Sequence, residues 1–245
     1  MKEAFVYIFK DNCLFQKTWI YLLLLIILNF LGSFLESDSH MVARPELFST
    51  NPTMNLLVAI AGVLICIAVI GYRLSVTGAI IKQKNNILLP KFNFINNFIK
   101  GLKYIVAMSL ILLCYLVIFK TIQIFTGFII YPIAILIILF YMIYGTAFYR
   151  NFADTNNLFA FFNFKKIFND VAFAPKLYFK HLSMLILISL FQLILNFITG
   201  FLTSFIPSNA VCIIVFSIVI GGAVWYLDLV SAFIIAKSLK TDSVV

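Results

Sequence analysis

Asp228 is the one acid inside an apolar run, in the stretch VWYLDLVSAF. A carboxylate in hydrocarbon is costly, and one is retained where it pairs with a cation, relays a proton or binds a solute. The spacing suggests partners. Tyr72, Tyr149 and Tyr226 recur every 77 residues, and Arg73 and Arg150 follow the first two. In that register both arginines sit one residue off the position equivalent to Asp228. The chemistry expected first is therefore a structural ion pair from Asp228 to Arg73 or Arg150, with a cation or proton site as the rival.

Other reactive patterns are sparse. Asn29, Gln123, Gln192 and Asn196 are the remaining strongly polar residues of the apolar runs, and they read as interhelical hydrogen-bonding groups before they read as a pathway. His40 and His181 are far apart and belong to no His/Cys/Asp/Glu cluster, so no metal site is expected. No GxSxG, P-loop, HExxH or CxxC pattern occurs. Cys13, Cys66, Cys114 and Cys212 show no paired spacing and read as small hydrophobes. No cofactor is expected, and an enzyme is the weakest of the functional readings.

The basic residues form a stronger pattern. Residues 71–106 carry Arg73, Lys82, Lys84, Lys91, Lys100 and Lys103 with no acid. Pro90 suits the first turn of a helix. From there Phe92, Phe94, Ile95, Phe98, Ile99 and Leu102 fall on one side of a helical wheel, and Asn93, Asn96, Asn97, Lys100, Gly101 and Lys103 on the other. Residues 163–174 repeat the pattern, with Phe164, Ile167, Phe168 and Val171 opposite Lys165, Lys166, Asn169 and Asp170. The amino-terminal segment before the first apolar run is a weaker version. Such helices lie in the headgroup layer. Lys91, Lys100, Lys103, Lys165 and Lys166 are accordingly expected to face anionic lipid headgroups, or a membrane-protein partner docked beside them.

The elements that must position these groups are membrane spans. The chain is 63% hydrophobic and 11% charged, where soluble domains carry about 25% charge. Six apolar runs are long enough for spans: Trp19–Leu35, Met54–Tyr72, Tyr104–Phe119, Thr121–Tyr149, Leu182–Ile206 and Ala210–Ala236. The first is longer than a signal-peptide core and no small-residue cleavage site follows it, so it reads as a retained span. The net charge of +9 is no sign of nucleic-acid binding, because 16 of the 18 Lys and Arg residues lie at the termini and in the second and fourth loops. That asymmetry places both termini and the second and fourth loops in the cytoplasm.

The 77-residue recurrence, the match of Val76, Ile80 and Ile81 to Val230, Ile234 and Ile235, and the parallel of LNFLGSF with LNFITGF suggest a three-fold internal repeat. The units would be residues 1–82, 83–160 and 161–245, each an interfacial helix and two spans, within one membrane domain covering 1–245. Gly71-Tyr72-Arg73-Leu74, Leu89-Pro90-Lys91-Phe92 and Phe98-Ile99-Lys100-Gly101-Leu102-Lys103 resemble the core motif of the prokaryotic membrane family catalogued as domain of unknown function 4013. That motif joins a GYxL-type span end through LP to a GLK-type start of the next span. Lys91 stands where the family usually has Glu, and the linker lacks its usual Gly and Asp. The resemblance implies an architecture and a membrane location. The expectation is an all-α, six-span protein that organises lipid or a partner, possible homo-oligomers included; a transporter or channel subunit with a site near Asp228 is the alternative.

Overall fold

The computed structural model describes residues 6–35, 52–83, 88–126, 130–203, 205 and 209–238. The first loop with Glu36, Asp38, His40, Arg44 and Glu46, the linker residues Lys84 to Ile87, and the carboxyl tail beyond Ser238 lie outside the described residues. Those described form α-helices and 3-10 turns, with no strand among them. The helices are α1 (Leu14–Leu35), α2 (Pro52–Lys82), α3 (Phe94–Thr126), α4 (Ile130–Thr155), α5 (Phe164–Phe173), α6 (Pro175–Thr203) and α7 (Asn209–Lys237). Turns of 3-10 helix occupy Tyr7–Lys10 and Leu158–Phe162.

Helices α1, α2, α3, α6 and α7 are long and apolar enough to cross a membrane, which is the character of a helical membrane protein. In lipid, a continuous helix satisfies its backbone groups internally, so apolar runs without internal breaks become long helices. α4 has 26 residues and contains most of the fourth expected span.

Two expectations about the basic segments need correction. The helix expected from Pro90 to Lys103 is no separate element. It starts at Phe94, where the Asn93 side chain accepts from the backbone N–H of Asn96, and it runs unbroken into the third span. At 33 residues, α3 is about 50 Å long, well beyond a hydrocarbon core of about 30 Å. The division expected at Lys120 is also absent, since α3 continues to Thr126. The second basic helix does exist as α5, capped by the Asn163 side chain on the N–H of Lys166. Its apolar face is turned inward, however. Ile167 and Val171 are buried, and Phe164 and Phe168 meet Phe148 and Tyr144 of α4. The amino-terminal segment is a 3-10 turn leading into α1.

The core sits toward one end of the bundle. One cluster joins Tyr7, Ile8, Tyr21, Tyr72, Leu89, Phe92 and Leu229; the other joins Leu74, Phe148, Phe152, Phe161, Ile167 and Tyr178. α2, α4 and α7 touch one another pairwise. α1 packs on α7 and α2, α3 on α2 and α4, and α6 on α7. Leu, Ile and Phe on the outer faces of α3 and α6 are exposed. Lipid tails are as apolar as these side chains, so facing outward costs nothing there.

Candidate functional site

The buried end of the bundle is built from four segments distant in sequence. The extended stretch 88–93 enters it first, because its backbone groups find partners in other elements. Leu89 donates its N–H to Asp11 Oδ2 at 2.9 Å, Phe92 donates to the Lys17 carbonyl at 3.2 Å, and the Tyr72 hydroxyl donates to the Pro90 carbonyl at 3.0 Å. Gln83 holds the start of the stretch, accepting from Leu88 N–H at 2.6 Å. The Phe92 ring then lies 5.2 Å from that of Tyr72, which in turn meets Tyr21 at 4.7 Å.

Asp11 is the hub of this contact. It is buried, yet it accepts from Cys13 N–H at 3.0 Å, Leu89 N–H, and Lys17 Nζ at 2.7 Å. Burial alone would raise the pKa of its carboxyl. The hydrogen bonds from Lys17, Leu89 and Cys13, with the Lys17 charge, outweigh that and hold it below the usual carboxylate range. Nearby, the buried Tyr7 hydroxyl donates to the Leu229 carbonyl at 2.5 Å, and burial pushes that phenol upward.

Asp228 and Arg73 come together. Arg73 Nη1 is 3.5 Å from Asp228 Oδ1, and the Tyr21 hydroxyl donates to Asp228 Oδ2 at 2.8 Å. The guanidinium carbon also lies 5.7 Å from the centre of the Tyr149 ring, within cation–π range. Arg73 thus joins α4 and α7 from its place on α2, and Tyr21 of α1 meets the same carboxylate. Arg73 Nε is buried with no hydrogen-bond partner among the described residues, so the arginine is only partly satisfied.

Arg150 is placed elsewhere. Its Nε donates to the Ala236 carbonyl at 3.1 Å, one residue from the end of α7 at Lys237, where a cation suits the negative end of the helix dipole. The 77-residue register set both arginines at one depth, but it carried no information about which helix each would face.

The lysines divide. Lys91, Lys165 and Lys166 are exposed. Lys100 turns inward from α3 and donates to Ser75 Oγ at 3.0 Å; that hydroxyl also sits 3.0 Å from the Gly71 carbonyl and 3.1 Å from Asn97 Oδ1. Lys103 is half-buried. The polar side of the expected amphipathic helix therefore packs on α2, while Phe94, Ile95, Ile99 and Leu102 point outward.

Glycine makes that packing possible. A Cβ on Gly71 would collide with the Asn97 carbonyl and stand 2.8 Å from Gly101 N; one on Gly101 would collide with the Ile67 carbonyl. Both glycines belong to the motif quoted above, yet sequence reading gave them no contact. Gly221 is also closely packed, its Cβ direction ending 2.7 Å from Ile26 of α1, whereas Gly62 and Gly222 face open space. Of the amides, Asn29 donates back to Leu25 within α1 at 2.8 Å, Asn196 is exposed, and the side chain of Gln123 lies outside the described residues. His181 is hydrogen-bonded to the Leu177 carbonyl. Among the described residues no three His, Cys, Asp or Glu side chains gather as a metal site, and the four cysteines are free.

The arrangement can hold helices together, fix a linker and present a basic, aromatic rim. No protein-family model, no curated protein and no solved structure matches the chain.

Proposed function

We propose that the chain is a non-enzymatic, six-span module of a prokaryotic cytoplasmic membrane, with both termini cytoplasmic, whose basic end gathers anionic lipid headgroups. One observation carries this reading. Lys91, Lys165 and Lys166 are exposed, and so are Phe94 and Ile95 just after the first in sequence and Phe159 and Phe173 to either side of the other two, at 47%, 72%, 79% and 71% accessible. Exposed rings and basic heads together suit the boundary between acyl chains and headgroups. α4 serves as the sixth span in this reading.

Three parallel units also fit the contacts. Positions 75, 152 and 229 are 77 residues apart. Each receives the segment leading into another unit: Ser75 meets Asn97, Phe152 meets Phe161, and the Leu229 carbonyl accepts from Tyr7. Membership of the family catalogued as domain of unknown function 4013 is part of the proposal. It is supported by the convergence of Gly71, Tyr72, Pro90, Phe92 and Gly101, which come from both halves of the motif.

A transporter or channel subunit is the rival. The engagement of Asp228 by both Arg73 and Tyr21 favours a structural tie over a solute site.

The test is association of spin-labelled phosphatidylglycerol and phosphatidylcholine with the reconstituted full chain. Phosphatidylglycerol should be preferred, and the triple variant Lys91→Gln, Lys165→Gln, Lys166→Gln should lose most of that preference, at about 1 kcal/mol per lysine. Equal association of both lipids with the unmodified protein would defeat the lipid reading.

A further inference from the structure

Three lysines converge where α3 packs against the end of α2. Lys100 donates across the crossing to Ser75 Oγ at 3.0 Å. Lys82, two turns beyond Ser75 on the same side of α2, and Lys103, one turn further along α3, are near enough for their charges to repel that of Lys100. None of the three forms an ion pair with a described residue.

The hydrogen bonds at this junction leave donors over. Ser75 has a single proton for the Gly71 carbonyl and Asn97 Oδ1, which are 3.0 and 3.1 Å away. Asn97 is 3% accessible, and Nδ2 of the same carboxamide has no partner among the described residues. Lys100 Nζ keeps two hydrogens after its bond to Ser75, and the ammonium groups of Lys82 and Lys103 bond to no described residue. Like charges gathered around a half-buried amine, beside an unsatisfied amide, are costly, and an anionic acceptor relieves both.

The apolar surroundings indicate what carries that anion. Ile99, Val106, Leu110 and Val117 share one side of α3 with Lys103 at helical spacing, and all four are exposed. The stripe leads from the lysines into the hydrocarbon, so a phosphate held at its head leaves acyl chains lying along it. Flexible lysine stems suit that boundary.

We propose that Lys82, Lys100 and Lys103 hold the phosphate of one anionic phospholipid at the α2–α3 junction, where its charge also compensates the unpaired Asn97 amide. Phosphate oxygens are strong acceptors for charge-assisted bonds from ammonium groups. The inference rests on the lipid reading and deepens it: the exposed Lys91, Lys165 and Lys166 gather headgroups in number, whereas this junction takes one.

The experiment is native mass spectrometry of the full-length protein, released from detergent after titration with phosphatidylglycerol, phosphatidylcholine or inorganic phosphate. Phosphatidylglycerol should saturate at one tightly retained molecule per chain, and the other two should be stripped. The triple variant Lys82→Gln, Lys100→Met, Lys103→Gln should bind it about 100-fold more weakly, and Lys82→Gln alone about fivefold. Lys82 is exposed and its side chain holds nothing among the described residues, so the single variant should keep its thermal transition and carries the test even where the triple variant does not fold. The variant Lys91→Gln, Lys165→Gln, Lys166→Gln should keep the one tight lipid while losing the general preference for phosphatidylglycerol, which separates failure here from failure of the lipid reading. Uptake without saturation, unchanged affinity in Lys82→Gln, or equal loss in the variant at 91, 165 and 166 would each overturn the proposal. Retention of inorganic phosphate with the same affinity would give the site to a soluble phosphate, and retention of neither would leave the lysines to an acidic protein segment; both results overturn it as well.

Discussion

Gly71 and Gly101 meet backbone to backbone where α2 crosses α3. A Cβ on Gly101 would lie 3.1 Å from Gly71 N, and one on Gly71 would lie 2.8 Å from Gly101 N, each also striking a carbonyl group of the opposite helix. Between membrane helices there is little hydrophobic drive, so association depends on such close approach and on the hydrogen bonds it permits. Ser75, Asn97 and Lys100 supply those bonds beside the crossing. The stretch 88–93 ahead of α3 then lies against Tyr72 and Asp11.

Gly71→Ala and Gly101→Ala should therefore each destabilise the protein by about 3 kcal/mol, the upper end of overpacking costs, because backbone atoms cannot move aside as a side chain can. Gly62→Ala and Gly222→Ala face open space and should be neutral or stabilising by up to about 1 kcal/mol through helix propensity. Thermal unfolding of the four variants in one detergent checks this. Equal loss in all four would mean that the crossing has no special role.

Asp11 gives a pH dependence with a definite sign. Its folded-state pKa is depressed, so its contribution is fully present above the unfolded value near 3.8 and is lost as pH falls through the lower folded value. Acidification below about pH 4 should release the stretch 88–93 before the spans unfold. Trypsin cleavage after Lys91 should rise over that range when samples are acid-pulsed and trapped by crosslinking before digestion. Asp11→Asn should show raised cleavage already at neutral pH, with a stability loss of roughly 2 kcal/mol. Cleavage independent of both pH and substitution would exclude Asp11 as the anchor.

Periodicity and charge made the long helices legible and marked Asp228 for an arginine partner, because both follow from the cost of polar groups in lipid, but the choice of Arg73 over Arg150 needed the helix packing. The orientation of the amphipathic segments was not legible for a related reason. A helical wheel separates Asn97, Lys100 and Gly101 from Phe94, Ile95 and Ile99, but in a membrane the polar side can be the one that packs and the apolar side the one that faces solvent lipid. In α5 the assignment is reversed, with Ile167 and Val171 inward and Lys165 and Lys166 outward. Only the tertiary partner, α2 in one case and α4 in the other, decides. Asp11 escaped notice because a single acid near an amino terminus has no periodic signature; its role depends on Leu89, 78 residues away.

The positive-inside asymmetry predicts which ends face which side. Thr53, at the start of α2, and Asn157, beyond the end of α4, are both exposed. As single cysteines in a cysteine-free background, Thr53→Cys should react with an impermeant maleimide added outside intact cells, and Asn157→Cys only after lysis. Reaction of both from one side would end the topology proposed here.

The Asp228–Arg73 contact is best tested by a double-mutant cycle, since its strength cannot be taken from its presence. The pair is 3.5 Å apart, and the side chains are 32% and 19% accessible, so solvent or headgroup screening reduces the coupling below that of a fully buried pair. Asp228→Asn and Arg73→Gln should each lower stability, and the double variant should recover about 1 kcal/mol of the summed loss. Tyr21→Phe should weaken the coupling further, because it removes the donor that orients Asp228 Oδ2. Arg150→Gln is the control: its Nε bonds to the Ala236 carbonyl, so its loss should add to that of Asp228→Asn without coupling. A solute or proton site would behave differently. Asp228→Asn would then leave stability unchanged or raised, since neutralising a partly desolvated acid removes its solvation cost, and the cycle with Arg73→Gln would be additive. Coupling to Arg150 in place of Arg73 would overturn the helix arrangement itself.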